Sequence, residues 1–202
     1  YLNHDNLADA TRYLVNELFG KYGLVILDGD DKRLKEQFIS TIKKDVLEHG
    51  FEESITKCSE NLKTKYKAQA YVRPINFFKL SEGKRELIKG EITEKEIEDN
   101  PVSFSPNVLL RPLYQETILP NIAYIGGVAE VAYWMQLRTA FQQENIPFPI
   151  LILRNSVLFM DEKQNQKRQA LGFTLNDLFL EEHQLQKKFV LNQNDAVVCL
   201  QD

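Results

Sequence analysis

Apolar residues recur at every third or fourth position along much of the first 64 residues, which predicts amphipathic helices. The three patterns are Leu7, Ala10, Leu14 and Leu18, then Leu34, Phe38, Ile42 and Val46, then Ile55, Cys58 and Leu62. Between the first two patterns lies Leu24–Leu27, a short apolar run that is typical of a strand buried on both faces. The order helix, strand, helix, helix indicates part of a doubly wound α/β sheet.

Two further apolar runs, Ile122–Ile125 and Ile150–Leu153, predict strands in the second half of the chain. Gly126-Gly127 follows the first run and opens a helical pattern, and Arg154-Asn155 follows the second. In an open α/β sheet, ligands bind just outside the carboxyl ends of the strands. We therefore expect a ligand site where these two runs end.

The middle and the end of the chain have other patterns. Ala68–Val72 and Ile75–Leu80 predict a hairpin or a pair of edge strands, and Thr93 opens a capping box for a short acidic helix. The chain after residue 160 is polar, with helix caps at Asp161 and Thr174. The sequence therefore predicts four parts: 1–64, a first α/β part; 65–102, an inserted hairpin and short helix; 103–160, a second α/β part with the ligand crevice; and 161–202, a helical extension.

The composition of the 202 residues, 43% hydrophobic and 27% charged, is that of an ordinary globular protein. The net charge of −4 provides no basic surface for nucleic acid or anionic lipid, and no apolar run has the ~20 residues of a membrane helix. Two widely separated cysteines, Cys58 and Cys199, favour a reduced cytoplasmic protein. Because the chain starts at Tyr1 without a methionine, we expect a piece of a longer protein.

The turn after the first of these strands contains several candidate ligand-binding residues. Backbone amides of Gly126 and Gly127 could face an anion at the start of the following helix, although the glycines could simply allow a tight turn and close packing. Glu130 could fill those amides with its own carboxylate, or bind an amino group or a sugar hydroxyl. Tyr133 shares the helix face of Glu130 and is the better ligand candidate, since only one of Tyr133 and Trp134 is expected to point inward.

Two arginines could grip a carboxylate or a phosphate in this crevice. Arg111 and Gln115 share a face if a helix starts just after Arg111, although a salt bridge with Glu116 or a capping role would also explain the arginine. Arg154 and Asn155 follow the last strand, at the position where ligand contacts are expected. The three histidines have no spacing that indicates a metal site or a catalytic triad, so the catalytic residues stay unassigned.

Three stretches, Thr11–Asp31, Phe104–Leu137 and Pro147–Ser156, carry a resemblance to a known family. They contain the motif N-V-x-x-R-P-L-x-Q-E, the turn G-G-x-x-E and a Tyr-Trp pair, in a specific order and spacing. The chain resembles the bacillithiol biosynthesis cysteine-adding enzymes over most of its length.

The resemblance implies a Rossmann-like core related in architecture to class I aminoacyl-tRNA synthetases, with an inserted segment and a helical coiled-coil arm that pairs two subunits into a homodimer. It implies the last step of bacillithiol synthesis, in which the carboxyl group of cysteine is joined to the amino group of glucosaminyl malate. ATP, or bound ADP, is the implied nucleotide, because other amide ligases activate the carboxylate with ATP. The G-G-Q-Q-x-G and E-D-H-D stretches of family members do not occur in this chain, so we expect it to be inactive by itself.

Two other functions remain open at this point. The chain could be a non-catalytic binding or assembly module that kept the fold and lost the chemistry. It could also be a synthetase-like nucleotide binder that acts on RNA, although the net negative charge argues against this interpretation.

Overall fold

The computed structural model describes residues 3–193 and divides the chain into two compact units, 1–154 and 155–202. The helices of the first unit are α1 (Leu7–Phe19), α2 (Lys32–Glu36), α3 (Ile39–Val46), α4 (Glu52–Lys63), α5 (Glu94–Asp99), α6 (Arg111–Ile118), α7 (Val128–Trp134) and α8 (Arg138–Gln143). Its strands are β1 (Phe77–Ser81), β2 (Lys84–Leu87), β3 (Phe104–Pro106), β4 (Ala123–Gly126) and β5 (Ile150–Leu153). Short 3-10 turns lie at Gly20–Tyr22 and Pro101–Ser103. Within residues 3–193, no helix is both long and apolar enough to cross a membrane.

The second unit is helical, as the sequence predicts. It contains α9 (Glu162–Ala170), a 3-10 turn at Asn176–Phe179 and α10 (Glu182–Gln193). Asp161 caps α9 by accepting a hydrogen bond from the N–H of Gln164 (2.7 Å). Asp177 accepts a hydrogen bond from the ammonium group of Lys188 (2.6 Å), which ties α10 to the preceding turn.

The two strands that flank the predicted site form a parallel pair. β4 pairs with β5 in the register Ala123↔Ile150 to Gly126↔Leu153, so their carboxyl ends lie at the same edge. Gly127 follows at once and α7 begins at Val128. The strand, turn and helix predicted here are therefore confirmed.

Of the two strands predicted for the hairpin, only the second forms, and it pairs with other strands than the one predicted. β1 pairs antiparallel with β2 and, on its other side, with β3, whereas Ala68–Val72 is not a strand. The connecting residues Glu82 and Gly83 both have positive φ (50° and 74°), the geometry of a tight two-residue hairpin turn. The N–H groups of Gln69 and Ala70 donate to the buried side chain of Gln136 (both 3.0 Å), so that stretch satisfies its backbone without a neighbouring strand.

The strand predicted at Leu24–Leu27 is wrong. Within residues 3–193 no strand pairs with it, and Leu24, Val25 and Leu27 are 47%, 67% and 43% exposed. A strand buried on both faces needs a neighbour on each side, which this part of the chain does not provide. The apolar side of α1 is also largely exposed, since only Ala10 of its predicted face is buried.

The hydrophobic core lies where α3, α4 and α8 meet β1, β3, α6 and α7. The predicted second helix contributes to it in two pieces, because the backbone leaves helical geometry at Phe38 (φ −110°, ψ 4°), between α2 and α3. The large fully buried apolar side chains include Phe38, Ile42, Phe51, Ile55, Phe77, Ile97, Phe104, Leu109, Leu110, Leu113, Trp134, Leu137 and Phe141.

A buried aspartate connects this core to the start of α6. Asp45, on α3, is fully buried and accepts hydrogen bonds from the backbone N–H (2.5 Å) and the side-chain amide (3.1 Å) of Asn76. Asn76 accepts a hydrogen bond from the side chain of Asn107 (2.9 Å), whose own side-chain oxygen accepts one from the N–H of Leu109 (2.8 Å). Because the carbonyl of Asn107 also accepts the N–H of Arg111 (2.9 Å), this network fixes where α6 begins.

Asp45 is expected to make the fold less stable as the pH rises toward neutrality. Burial raises its pKa from 3.8 to about 7, although the hydrogen bonds from Asn76 oppose the shift. A carboxyl group with a raised folded-state pKa stabilises fully below its unfolded pKa, and this stabilisation is lost as the pH rises through the folded pKa. Between those two pKa values the free energy of unfolding should fall, by at most about 1.4 kcal/mol per pH unit. Urea denaturation at a series of pH values measures this slope.

Asp45→Asn removes the titration, so the stability difference between wild type and this variant should change with pH across the same window. Asp5→Asn makes the same substitution at an exposed position and is the matched control. A constant difference for Asp45→Asn would contradict the raised pKa.

Candidate functional site

Arg111 is the first residue of α6, and two neutral groups hold its side chain. Nη1 donates to the side-chain oxygen of Gln115 (3.0 Å) and Nη2 donates to the hydroxyl of Tyr133 on α7 (3.0 Å). The structure thus brings three of the predicted site residues into contact. The salt bridge with Glu116 does not form, because that carboxylate instead accepts the backbone N–H and side-chain amide of Asn121 (2.7 and 2.9 Å).

Glu130 lies in the first turn of α7, beside the end of β4. Its carboxylate accepts hydrogen bonds from the backbone N–H of Gly127 (2.7 Å) and from the hydroxyl of Tyr124 (2.9 Å). Of the alternatives that the sequence leaves open, the structure shows the one in which the protein's own carboxylate fills the helix N-terminus. An external anion at this amide would first have to displace Glu130.

The glycine pair allows close packing of the turn, and the constraint is strict only at Gly126. A Cβ atom at Gly126 would lie 2.7 Å from the ring of Tyr124, and one at Gly127 would lie 3.1 Å from the guanidinium group of Arg154. Arg154 follows β5, and its backbone N–H donates to the carbonyl of Gly126 (2.9 Å). Its side chain is exposed, so the guanidinium group lies against Gly127 and stays open to solvent.

The electrostatics of these groups favour binding over proton transfer. The pKa of Glu130 is lowered, first by the hydrogen bond from Gly127, then by Tyr124 and by the charges of Arg154 and Arg111. Burial works against the charge of Arg111, but its contacts with tyrosine hydroxyls outweigh burial and raise its pKa. Burial and the hydrogen bond to Glu130 raise the pKa of Tyr124. At neutral pH the site therefore presents a carboxylate, permanent cations and protonated phenols, which can hold and orient charged or hydroxylated ligands.

Two clefts of the first unit border Arg111. The larger, of about 340 Å³, is lined by Val25, Leu27, Gly29, Arg111, Tyr114, Gln115, Ile118 and Leu119. The smaller, of about 270 Å³, is lined by Asp28, Gly29, Asp30, Lys35, Arg85, Ser105, Pro106, Arg111 and Tyr114. A ligand held by Arg111 therefore has space on either side of that residue.

The two neighbouring aromatic residues of α7 differ from the prediction. Tyr133 and Trp134 are both buried, 8% and 0% exposed, although only one was expected to point inward. The helix is covered on two sides: the hydroxyl of Tyr133 reaches Arg111, and Trp134 stacks on Tyr124 with 4.2 Å between ring centroids. Asn155 is exposed and falls in the second unit, and its part in ligand binding stays a prediction.

Tyr124, Lys35 and Arg85 belong to these surroundings but were not singled out from the sequence. Tyr124 had one signal, its place two residues before the glycine pair. Cys58 is half-buried, with its sulfur 3.6 Å from the carbonyl of Met135, and Cys199 lies outside the described residues. In the part of the chain that the structure describes, no cluster of His, Cys, Asp and Glu side chains is arranged to hold a metal ion.

Comparison with known proteins identifies the family to which the chain belongs. A family model described as the N-terminal Rossmann-like domain of bacillithiol biosynthesis BshC matches residues 1–155. The chain is 43% identical to a protein of Christiangramia forsetii, covering 96% of this chain and 39% of the relative. It is 47% identical to a protein of Flavobacterium psychrophilum and 44% identical to one of Flavobacterium johnsoniae, each over 92% of this chain and 38% of the relative. All three are named cysteine ligase BshC, with the activity marked as provisional in the name itself.

The chain spans about two fifths of the length of these relatives, so the match concerns one region of a longer protein family. The matched region is described as Rossmann-like, in agreement with the α/β class predicted from the sequence and with the parallel strands β4 and β5 followed by α7. The chain belongs to the BshC family of bacillithiol biosynthesis.

Proposed function

We propose that this chain is part of a ligase that joins the carboxyl group of cysteine to the amino group of glucosaminyl malate, the last step of bacillithiol synthesis. The observation that carries the proposal is the arrangement of Arg154 and Glu130 at the carboxyl ends of two parallel strands, in a chain of the BshC family. Both substrates carry carboxylates, and an arginine with free N–H groups binds a carboxylate well.

Each site residue has a role in this proposal. Arg154 and Arg111 bind carboxylate or phosphate groups, and Gln115 and Tyr133 position Arg111 through their hydrogen bonds. Glu130 stays ionised because its pKa is lowered, so it accepts hydrogen bonds from an amino group or a sugar hydroxyl. None of these roles requires a metal ion.

ATP is the proposed activating substrate. An oxygen of the cysteine carboxylate attacks a phosphorus atom of ATP, which gives a mixed anhydride and releases either ADP or pyrophosphate. The neutral sugar amine then attacks the carbonyl carbon and the amide C–N bond forms. The anhydride C–O bond breaks with release of phosphate or AMP, and the amine nitrogen gives up one proton to solvent. Positive groups such as Arg111 and Arg154 would offset the charge of the leaving phosphate.

The proposal includes a homodimer that works in the cytoplasm on small molecules, with a coiled-coil arm joining the subunits. The name of the relatives and the small-molecule pathway of the family support the kind of substrate. Light scattering of the protein expressed from its complete reading frame tests the dimer directly, since a monomeric mass would contradict this part of the proposal.

The test of the proposed reaction is product formation by the protein expressed from its complete reading frame. Glucosaminyl malate and cysteine are supplied with and without ATP, and the products are identified by mass spectrometry. We expect the mass of bacillithiol only when ATP is present. Product without ATP would keep the reaction and contradict the activation step, and no product under either condition would favour the non-catalytic module.

A further inference from the structure

In the smaller cleft beside Arg111, of about 270 Å³, the cationic side chains outnumber the carboxylates. It opens between the turn at residues 28–30, the β1–β2 hairpin and the start of α6. The hydroxyl of Tyr114, on α6, donates to the carbonyl of Gly29 (2.9 Å), and this hydrogen bond holds the turn against α6. The cleft is therefore a preformed space, and the charges around it decide what it can bind.

Arg85 is held rigidly at this cleft by neutral partners. Its Nε donates to the hydroxyl of Ser105 (3.1 Å), and its Nη2 donates to the carbonyl of Pro106 (2.7 Å). The guanidinium group also lies over the ring of Phe78, 3.9 Å from the centroid. A guanidinium group has five N–H donors, so donors remain free for a ligand.

The acidic residues of the cleft have other partners. The ammonium group of Lys35, buried to 1% exposure, donates to the carbonyl of Phe104 (2.8 Å) and pairs with Asp30 (3.5 Å). Asp28 accepts the backbone N–H of Asp30 (2.9 Å) and so stabilises the turn. Burial lowers the pKa of Lys35, Asp30 opposes this shift, and the charge of Arg85 adds to it.

Among residues 3–193, neither arginine of the cleft has a carboxylate partner. The ion pairs formed among residues 3–193 include neither Arg85 nor the half-buried Arg111. Arg85 is exposed, so its remaining N–H groups are open to a ligand, and this cost does not apply to it. For the half-buried Arg111, a guanidinium group without a counter-charge is costly, and a bound anion would relieve that cost.

We propose that this cleft binds an anionic group, a carboxylate or a phosphate, between the guanidinium groups of Arg85 and Arg111. This site shares Arg111 with the proposed ligase site and deepens that proposal, but its occupancy can be measured without turnover. The ligase reaction can therefore fail its own test while this site is found, and the reverse also holds.

The experiment is a calorimetric titration of the protein expressed from its complete reading frame, with inorganic phosphate, pyrophosphate or malate at constant ionic strength. We expect one saturable site for at least one of these ions. Saturation by phosphate or pyrophosphate alone would identify a phosphate site, and saturation by malate alone would identify a carboxylate site. Absence of saturable binding for all three ions up to about 10 mM, well above typical metabolite affinities, would overturn the proposal.

Arg85→Gln should weaken the binding by about tenfold or more, the loss expected for a charge-assisted hydrogen bond. Arg33→Gln is the matched control, because Arg33 is exposed, pairs with Asp31 (2.8 Å) and does not line the cleft. It should change the affinity by less than about twofold. Equal affinity for wild type and Arg85→Gln would overturn the proposal.

Because Arg85 also joins the hairpin to β3, melting is measured for every variant. If Arg85→Gln does not fold, Arg85→Lys carries the test, since lysine keeps the positive charge but not the planar fork. A folded Arg85→Lys protein with weakened, salt-sensitive binding supports the site, and one with wild-type affinity at all salt concentrations overturns it.

Discussion

Replacing Trp134 with alanine is expected to lower the free energy of unfolding by about 3–5 kcal/mol. The side chain is fully buried, stacks on Tyr124 at 4.2 Å and lies near Phe141 and Phe148, with centroid distances of 5.8 and 6.0 Å. Alanine would remove these contacts and leave a cavity that the surrounding rings can fill only in part. Chemical denaturation of wild type and variant measures the change.

Trp134→Phe is the matched variant, because it keeps an aromatic ring and removes the indole N–H. That N–H is buried and finds no acceptor among residues 3–193, so its removal costs nothing in hydrogen bonding. We expect Trp134→Phe to cost clearly less than alanine, about 1–2 kcal/mol for the lost volume. Unchanged melting of Trp134→Ala together with lost ligand binding would instead make Trp134 a site residue.

Arg154→Ala is expected to lower kcat/KM of the proposed ligase by about 100-fold or more, and to leave the melting temperature nearly unchanged. The guanidinium group is exposed and lies against Gly127, so its removal leaves no cavity in the core. The backbone hydrogen bond from Arg154 to Gly126 would persist in the alanine variant. Steady-state kinetics with cysteine, glucosaminyl malate and ATP measure the effect.

Arg138→Ala is the control for this experiment, because Arg138 is an exposed arginine on α8 and lines neither cleft beside Arg111. It removes the same charge and should leave the kinetics unchanged. Arg154→Lys should recover part of the activity, since it restores the charge without the bidentate geometry. Wild-type kinetics of Arg154→Ala would exclude Arg154 from the site.

The elements predicted correctly are those specified by short-range signals. Thr93 caps α5 through the N–H of Glu96 (3.2 Å), and Gly127 separates β4 from α7, as expected from residues within a few positions of each other. The strand predicted at Leu24–Leu27 failed because strand formation depends on a partner, and no local pattern shows whether a partner is present. The hairpin failed in part for the same reason, since Gln136 from a distant helix end satisfies the backbone at Gln69 and Ala70.

The candidate site was predictable to a similar extent. The position of Arg111, Glu130 and Arg154 near strand ends follows from the strand and turn pattern, and the structure gathers them in one region of the first unit. The roles of Lys35 and Arg85 could not be predicted, because each depends on contacts about 20 or more positions away: Lys35 with Phe104, and Arg85 with Ser105. Such contacts are set by packing and leave no periodic signal in the sequence.

The parallel pair β4–β5 also has a consequence for uncontrolled strand pairing between molecules. Its side chains include Ile125, Ile150 and Leu153, which are 65%, 64% and 56% exposed, and an apolar strand of this kind can template pairing with other molecules. Pro149 stands directly before β5 and Arg154 directly after it. A proline offers no N–H to a neighbouring strand and a charge resists stacking, so we expect these two residues to confine such pairing to the four residues of β5.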